Sequence, residues 1–169
     1  MSGVPLRFRP AVDQDVPEIA TLLTEAAEYA KRREGFEGWP IPFPAEEVRD
    51  AIRRDENYVI DVGTRIAATF CLSWSDRAFW GDQPPIAGYV HKLAVRRAFA
   101  HQGLGRKALE WVVDRARAAG RTRVRLDCHA GNRYLVAFYE SLGFRPVRTV
   151  ELATSGRLRP YLLMERDLG

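Results

Sequence analysis

The sequence predicts a mixed α/β fold, one mixed sheet of about seven strands with helices on both faces. Three observations predict it. Stretches of alternating apolar and polar residues interleave with stretches whose apolar residues recur every three to four positions. Consecutive strands are joined in one place by a two-residue turn and in others by a whole helix, which combines antiparallel and parallel pairing. The 169 residues show no repeat, low-complexity tract or linker, so a single domain over 1–169 with one core is expected.

The elements follow in order. "PLRFRPA" alternates as a first strand. Asp15 and Glu18 have the spacing of a capping box and Pro17 suits a first turn. Val16, Ile19, Ala20, Leu23 and Ala27 then mark one face of a helix reaching about Arg33. "GFEGWPIPFP" reads as a loop, and a second helix is expected over 45–54. "NYVIDVG" and "RIAATFCLSWS" form a hairpin about Gly63-Thr64. "SDRAFWGDQPP" reads as a loop and "AGYVHKLAV" as a strand. A helix runs from about Gly103 to Ala119, with Leu104, Ala108, Val112, Ala116 and Ala119 inward and Gly120 as its stop. "RVRLDC" is a strand, and a helix from about Asn132 to Leu142 ends at Gly143. "RPVRTVEL" and "LRPYLLME" are the last strands. The expected order is βααβββαβαββ.

Composition narrows the function. With 46% apolar and 28% charged residues the chain has an ordinary globular balance. No apolar run approaches the roughly 20 residues of a membrane span, and the first residues lack a signal-peptide hydrophobic stretch. Cys71 and Cys128 sit in apolar strands, so reduced thiols and a cytoplasmic location are expected. The net charge of +4 is uneven: residues 96–125 hold eight Arg and one Lys against Glu110 and Asp114. A positive field there suits a polyanionic ligand. The acidic first half and the absence of interleaved aromatics argue against nucleic acid.

The basic segment contains "AHQGLGRKALEW", two glycines where a helix begins. The N–H groups of such a loop and the positive helix end bind phosphate. A Walker loop does not match. A dinucleotide fingerprint matches better, since Gly103, Gly105 and Ala108 fit G-x-G-x-x-A and Asp127 stands where a ribose-binding acid would. Against it, seven residues separate Val95 from Gly103, and 42 residues after Asp127 are too few for the remaining βαβ units. A loop that swings out after Val95 and wraps a pyrophosphate accounts for the extra residues. Arg96, Arg97, Arg106 and Lys107 supply charge.

Downstream, "LDCHAGNRYLVAFYESLGF" places Asn132 and Tyr139 two turns apart on one helix face. The two motifs together resemble the GNAT superfamily of acyl-CoA-dependent N-acyltransferases. That family's glycine loop is Q/R-x-x-G-x-G/A, and its next helix carries N-x-x-A-x-x-F-Y-x-x-x-G-F, here Asn132, Leu135, Phe138, Tyr139, Gly143 and Phe144. Leu135 stands in the usual Ala place and Ala100 in the Q/R place, with Gln102 or Arg97 as substitutes. The order of elements extends the resemblance over nearly the whole chain and implies a twisted, mostly antiparallel sheet.

The resemblance also implies roles. Acetyl-CoA would be the acyl donor, with no metal. The strand end Leu93, Ala94 and Val95 would pair with the pantetheine arm. His101, Gln102, Gly103, Leu104, Gly105 and Arg106 would hold the pyrophosphate. Asn132 would bond the pantetheine region; on its residue type alone it is equally a helix N-cap. Tyr139 would protonate the leaving thiolate. The family's base position is Tyr89 here, so the usual carboxylate is missing. His91, two residues on along the same strand face, is the base candidate because imidazole titrates near neutrality. Asp76, Asp82 or a water are the alternatives. The acceptor is expected to be a small primary amine. The acidic and aromatic segment Glu25, Glu28, Tyr29, Glu34, Phe36, Glu37 and Trp39 is one candidate surface for it, and Trp74, Trp80 and Tyr89 are another. An exposed sheet edge would suit a homodimer, and neither nucleic acid nor membrane is expected as a partner. The competing reading is a non-catalytic acyl-CoA-binding regulatory module on the same fold.

Overall fold

Residues 3–154 and 156–169 are described by a computed structural model. The elements are β1 (Leu6–Pro10), α1 (Val16–Tyr29), α2 (Ala45–Arg53), β2 (Asn57–Val62), β3 (Arg65–Ser73), α3 (Arg77–Trp80), β4 (Ala87–Val95), α4 (Leu104–Ala118), β5 (Arg123–His129), α5 (Arg133–Ser141), β6 (Arg145–Thr154) and β7 (Arg157–Asp167). The strands are ordered β1-β2-β3-β4-β5-β7-β6. The β4–β5 ladder is parallel, whereas β1–β2, β2–β3, β5–β7 and β6–β7 are antiparallel. A mixed, mostly antiparallel seven-stranded sheet is therefore present, as expected. The chain divides into two compact units. One comprises the residues up to Leu72 with Lys92–Ala108, and the other comprises Ser73–His91 with Leu109–Gly169. Among the described residues no helix is long and apolar enough to cross a membrane.

In the first unit, α1 buries Val16, Ile19, Leu22 and Leu23 against Val48 of α2, Val59 of β2, Ile66 of β3 and Ala94 of β4. The helical period of the apolar residues selects that face. The expected capping box between Asp15 and Glu18 does not form, and Asp15 makes no side-chain cap bond to α1. Asp15 Oδ2 accepts the Val12 N–H at 2.8 Å. Glu18 instead accepts Arg96 Nη2 at 2.8 Å and the Ile66 N–H at 3.3 Å. A charged tertiary partner outcompetes the local cap because a bond to a guanidinium is the stronger one. The β2–β3 hairpin turns at Gly63, whose φ of 62° is costly for other residues.

In the second unit, α4 ends in a Schellman turn: Arg121 N–H donates to Ala116 O and Gly120 N–H to Arg117 O, both at 2.9 Å. Ala119 lies in that turn and is exposed, a correction to its expected inward position. Leu109 and Val113 are buried in addition to Leu104, Ala108, Val112 and Ala116. The segment read as a loop also contains α3. Asp76 caps it, Oδ1 accepting the Phe79 N–H at 3.1 Å. A four-residue helix is too short to show periodicity in sequence.

A buried cation braces this unit. The Arg125 side chain is 8% exposed, and its Nε donates to Glu165 Oε2 at 2.6 Å. Its Nη1 reaches the Tyr89 hydroxyl at 3.0 Å and Gln83 Oε1 at 3.2 Å, and its guanidinium lies 4.6 Å from the Trp80 ring centre. Arg125→Ala removes the cation between Glu165 and Tyr89, leaving Glu165 only its longer contact with Arg123 at 3.5 Å, and is expected to cost about 3 kcal/mol, read as a lower urea midpoint at unchanged m-value.

Candidate active site

The glycine loop is shaped by its backbone. After β4 the chain makes a short turn at Arg97–Phe99, and His101 and Gly103 then adopt φ of 61° and 76°. A Cβ added to Gly103 would meet nothing within 4 Å. The glycine is therefore required by its left-handed conformation and not by crowding within the chain. The Lys107 N–H donates to Gly103 O at 3.0 Å, which opens α4. The N–H groups of Leu104, Gly105 and Arg106 precede any intrahelical acceptor and carry the positive helix end. His101, Gln102, Arg106 and Lys107 are exposed, while buried Leu104 anchors the loop. This cradle fits a pyrophosphate. Arg97 does not replace the missing Q/R side chain, because its guanidinium stacks 4.0 Å over the Tyr29 ring. Arg96 is engaged by Glu18 and by the Ile66 carbonyl at 2.9 Å. Tyr29 is thus occupied, and Glu37 pairs with Lys31 at 3.2 Å, which weakens that segment as an amine surface.

β4 is irregular midway. Lys92 has φ of 53° inside the strand, a conformation that non-glycine residues adopt at a cost of roughly 1–3 kcal/mol and that concentrates at functional sites. Beyond it, Ala94 is buried while Leu93 and Val95 are half-buried. Among the described residues, the parallel ladder pairs Ala87, Gly88 and Tyr89 with Arg123, Val124 and Arg125. His91 and Asp127 stand beyond that ladder.

There they meet. His91 Nδ1 lies 3.7 Å from Asp127 Oδ1, and Nε2 lies 3.4 Å from Asp76 Oδ2. One donor atom from each of the three residues falls within 4.8 Å of the others, close enough to enclose one small cation. Burial, and then the charge of Asp76, push the Asp127 carboxyl up to about 7. Of the alternatives to His91, Asp76 joins the site. Asp82 does not; it is 80% exposed and held by Arg77 at 2.8 Å. Tyr89 and Trp80 belong to the core around Arg125.

The charge of Asp127 also acts on Tyr139. Burial first, then Cys128 and Asp127, raise the Tyr139 phenol above its ordinary value, so it keeps its proton at every physiological pH. Asn132 is buried and caps α5, Oδ1 accepting the Leu135 N–H at 3.2 Å. Burial raises the Cys71 thiol to about 11, and burial with Asp127 raises Cys128 to about 12. Neither is a thiolate at neutral pH.

Residues 23–144 match the Acetyltransferase (GNAT) family. The chain belongs to the GNAT acetyltransferase family. This GNAT chain is 34% identical over 144 residues to the uncharacterized N-acetyltransferase YesJ of Bacillus subtilis, covering 80% of this chain and 79% of YesJ. Its fold resembles that of a GNAT-family acetyltransferase from Listeria monocytogenes, with a TM-score of 0.77 at 20% identity, covering 98% of this chain and 96% of the other. It also resembles yncA from Salmonella typhimurium, solved with acetyl-CoA, with a TM-score of 0.73 at 17% identity over 98% and 95% of the two chains. Membership makes this GNAT chain an acetyltransferase.

Proposed function

We propose that this acetyltransferase moves the acetyl group of acetyl-CoA directly to a primary amine of a small molecule. One observation carries the reading: the part-buried Asp127 carboxylate lies 3.7 Å from the His91 imidazole, and its charge, after burial and Cys128, helps hold the Tyr139 phenol protonated. Direct transfer needs that division of labour. The acetyl thioester supplies an activated acyl carbon. As the N–C bond forms and the C–S bond breaks, the amine loses a proton and the sulfur gains negative charge. His91, flanked by Asp76 and Asp127, takes the proton, and Asp127 is the counter-charge that stabilises the resulting imidazolium. Tyr139 gives the sulfur a hydrogen bond and then a proton. Its raised pKa makes full transfer unfavourable before the C–S bond is broken, so the hydrogen bond acts first. The protonated states of Cys71 and Cys128 support transfer without an acetyl-cysteine.

On the donor side, His101–Arg106 and the α4 N-terminus bind the pyrophosphate, Leu93, Ala94 and Val95 offer main-chain groups to the pantetheine arm, and buried Asn132 contributes near it. Gly103→Glu puts a side chain on a backbone with φ of 76° and a carboxylate where phosphate is expected. Acetyl-CoA affinity should fall more than about tenfold by calorimetry, the scale of one lost charge-assisted contact.

Initial rates of thiol release, with acetyl-CoA and a primary alkylamine varied together, test the mechanism. Intersecting double-reciprocal lines are expected. Parallel lines would indicate an acetyl-enzyme, and thiol release indifferent to every amine would leave the acyl-CoA-binding module as the better reading.

A further inference from the structure

The cluster at β4, β5 and the N-cap of α3 carries two carboxylates, Asp76 and Asp127, whose ion pairs among the described residues include no arginine or lysine. In the same unit Glu165 pairs with Arg125 at 2.6 Å and Asp167 with Arg123 at 2.9 Å. Among the described residues, the ion pairs of Asp76 and Asp127 are with His91 alone. Two part-buried carboxylates around one imidazole, when both are ionised, leave a negative charge uncompensated even with the imidazole protonated.

A second observation points to a missing ligand. The Asp76 side chain is only 7% exposed, and Oδ2 makes no hydrogen bond although it faces His91 at 3.4 Å. Its other oxygen is committed to capping α3. A buried carboxylate oxygen without a donor is costly unless a partner arrives.

The surroundings describe that partner. β5 and β7 place His129 beside Tyr161 and Asp127 beside Leu163. Successive odd-numbered residues of β5 share one face, so Asp127 and His129 point the same way. Phe79, on α3, stands 6.4 Å from the His91 ring and makes an edge contact with Tyr161 at 5.3 Å. Carboxylates on the floor and aromatic rings at the side are the recognition chemistry of an organic ammonium.

We propose that Asp76, His91 and Asp127, walled by Phe79 and Tyr161, receive the acceptor as an alkylammonium cation, so that the substrate class is compact aliphatic primary amines and excludes arylamines uncharged at neutral pH. The inference rests on the acetyl-transfer reading above and specifies its acceptor. The ammonium enters with three N–H bonds, one donated to Asp76 Oδ2. One of its protons passes to His91, the freed lone pair forms the N–C bond, and a second N–H proton leaves the nitrogen as the amide forms and restores the Tyr139 phenol. The C–S electron pair leaves on sulfur, which takes its proton from Tyr139. Two carboxylates attract the cation in a partly desolvated site, where charge interactions are stronger than in water.

The test is ligand-observed NMR with n-butylammonium and its uncharged counterpart 1-butanol, on the wild type and on Asp76→Asn, which keeps an oxygen for the α3 cap. Zinc titration and acetyl-CoA calorimetry run in parallel. The wild type should bind butylammonium and not butanol, Asp76→Asn should weaken the cation about tenfold or more, and acetyl-CoA affinity should stay unchanged. Asp127→Asn should weaken the cation as well, a second readout should Asp76→Asn fold poorly. Equal butylammonium binding by all three proteins, or none by the wild type, would overturn the proposal. So would zinc binding that depends on Asp76 while butylammonium fails to bind, since the cluster would then be a metal site. Asp76-dependent butylammonium binding in a protein that ignores acetyl-CoA would support the ammonium site and defeat the acetyl-transfer reading instead.

Discussion

Tyr139→Phe should lower kcat by about 100-fold, the lower end of what a positioned proton donor contributes, and leave acetyl-CoA affinity within about twofold. The reason is specific to this environment. Burial and its neighbours Cys128 and Asp127 hold the phenol protonated, so its hydroxyl is a donor throughout the working range. Removing the hydroxyl takes away the hydrogen bond to the sulfur and nothing of the ring. A loss confined to kcat is the mark of an interaction made in the transition state, whereas a loss in donor affinity alone would assign Tyr139 to binding. The variant should be rescued in part by an acyl donor with a more acidic thiol, because a better leaving group needs less help.

Asp127→Asn is expected to do two opposite things. Activity should fall about 100-fold or more, since His91 loses the counter-charge for its imidazolium. Stability at pH 8 should rise. The carboxyl of Asp127 is raised in the folded chain from an ordinary 3.8 to about 7. A carboxyl raised in this way contributes stability that is fully present below its unfolded pKa and is lost as pH climbs through the folded one. At pH 8 the wild type therefore carries the full burden of a buried charge, at most about 4 kcal/mol from the shift and on the order of 2 kcal/mol once residual solvent contact is allowed for. Asparagine has the same shape without the charge, so the melting temperature should rise by about 4–8 °C at pH 8. The gain should shrink as pH falls from 7 and approach zero below about pH 3, where the wild-type carboxyl is protonated in both states. In the wild type, kcat/KM should climb through about pH 7 as the cluster ionises, and Asp127→Asn should flatten that rise. A variant that is both less active and less stable at pH 8 would mean that Asp127 is a structural carboxylate.

Much of the fold was legible because its signals are local. β4 begins and ends where its apolar alternation does, and Gly120 and Gly143 stop their helices as glycines with φ of 72° and 87°. Asn132, Tyr139 and the loop from His101 to Arg106 lie in short motifs that a chain can show without a structure. What was not legible depends on distant partners. Glu18 has the spacing of a cap but answers to Arg96, 78 residues away. Arg97 reads as a phosphate ligand but stacks on Tyr29. Asp127 reads as a candidate ribose acid of a dinucleotide fold, and only the register of β4 beside β5 brings it to His91. Asp76 reaches the same point because α3, too short to be seen in sequence, turns its side chain inward. The family's base position on β4 holds Tyr89, which is committed to Arg125, while the acids stand on β5 and at the N-cap of α3, where no local sequence signal ties them to β4.

Direct transfer of acetyl from acetyl-CoA to a primary alkylamine, as proposed for this GNAT chain, is decided by mass spectrometry of a reaction containing isotopically labelled acetyl-CoA and n-butylamine. Labelled N-acetyl-butylamine is expected, one molecule for each thiol released, with the protein itself unlabelled. Label retained on Cys128 or Cys71, or an enzyme that binds acetyl-CoA yet forms no amide, would contradict it.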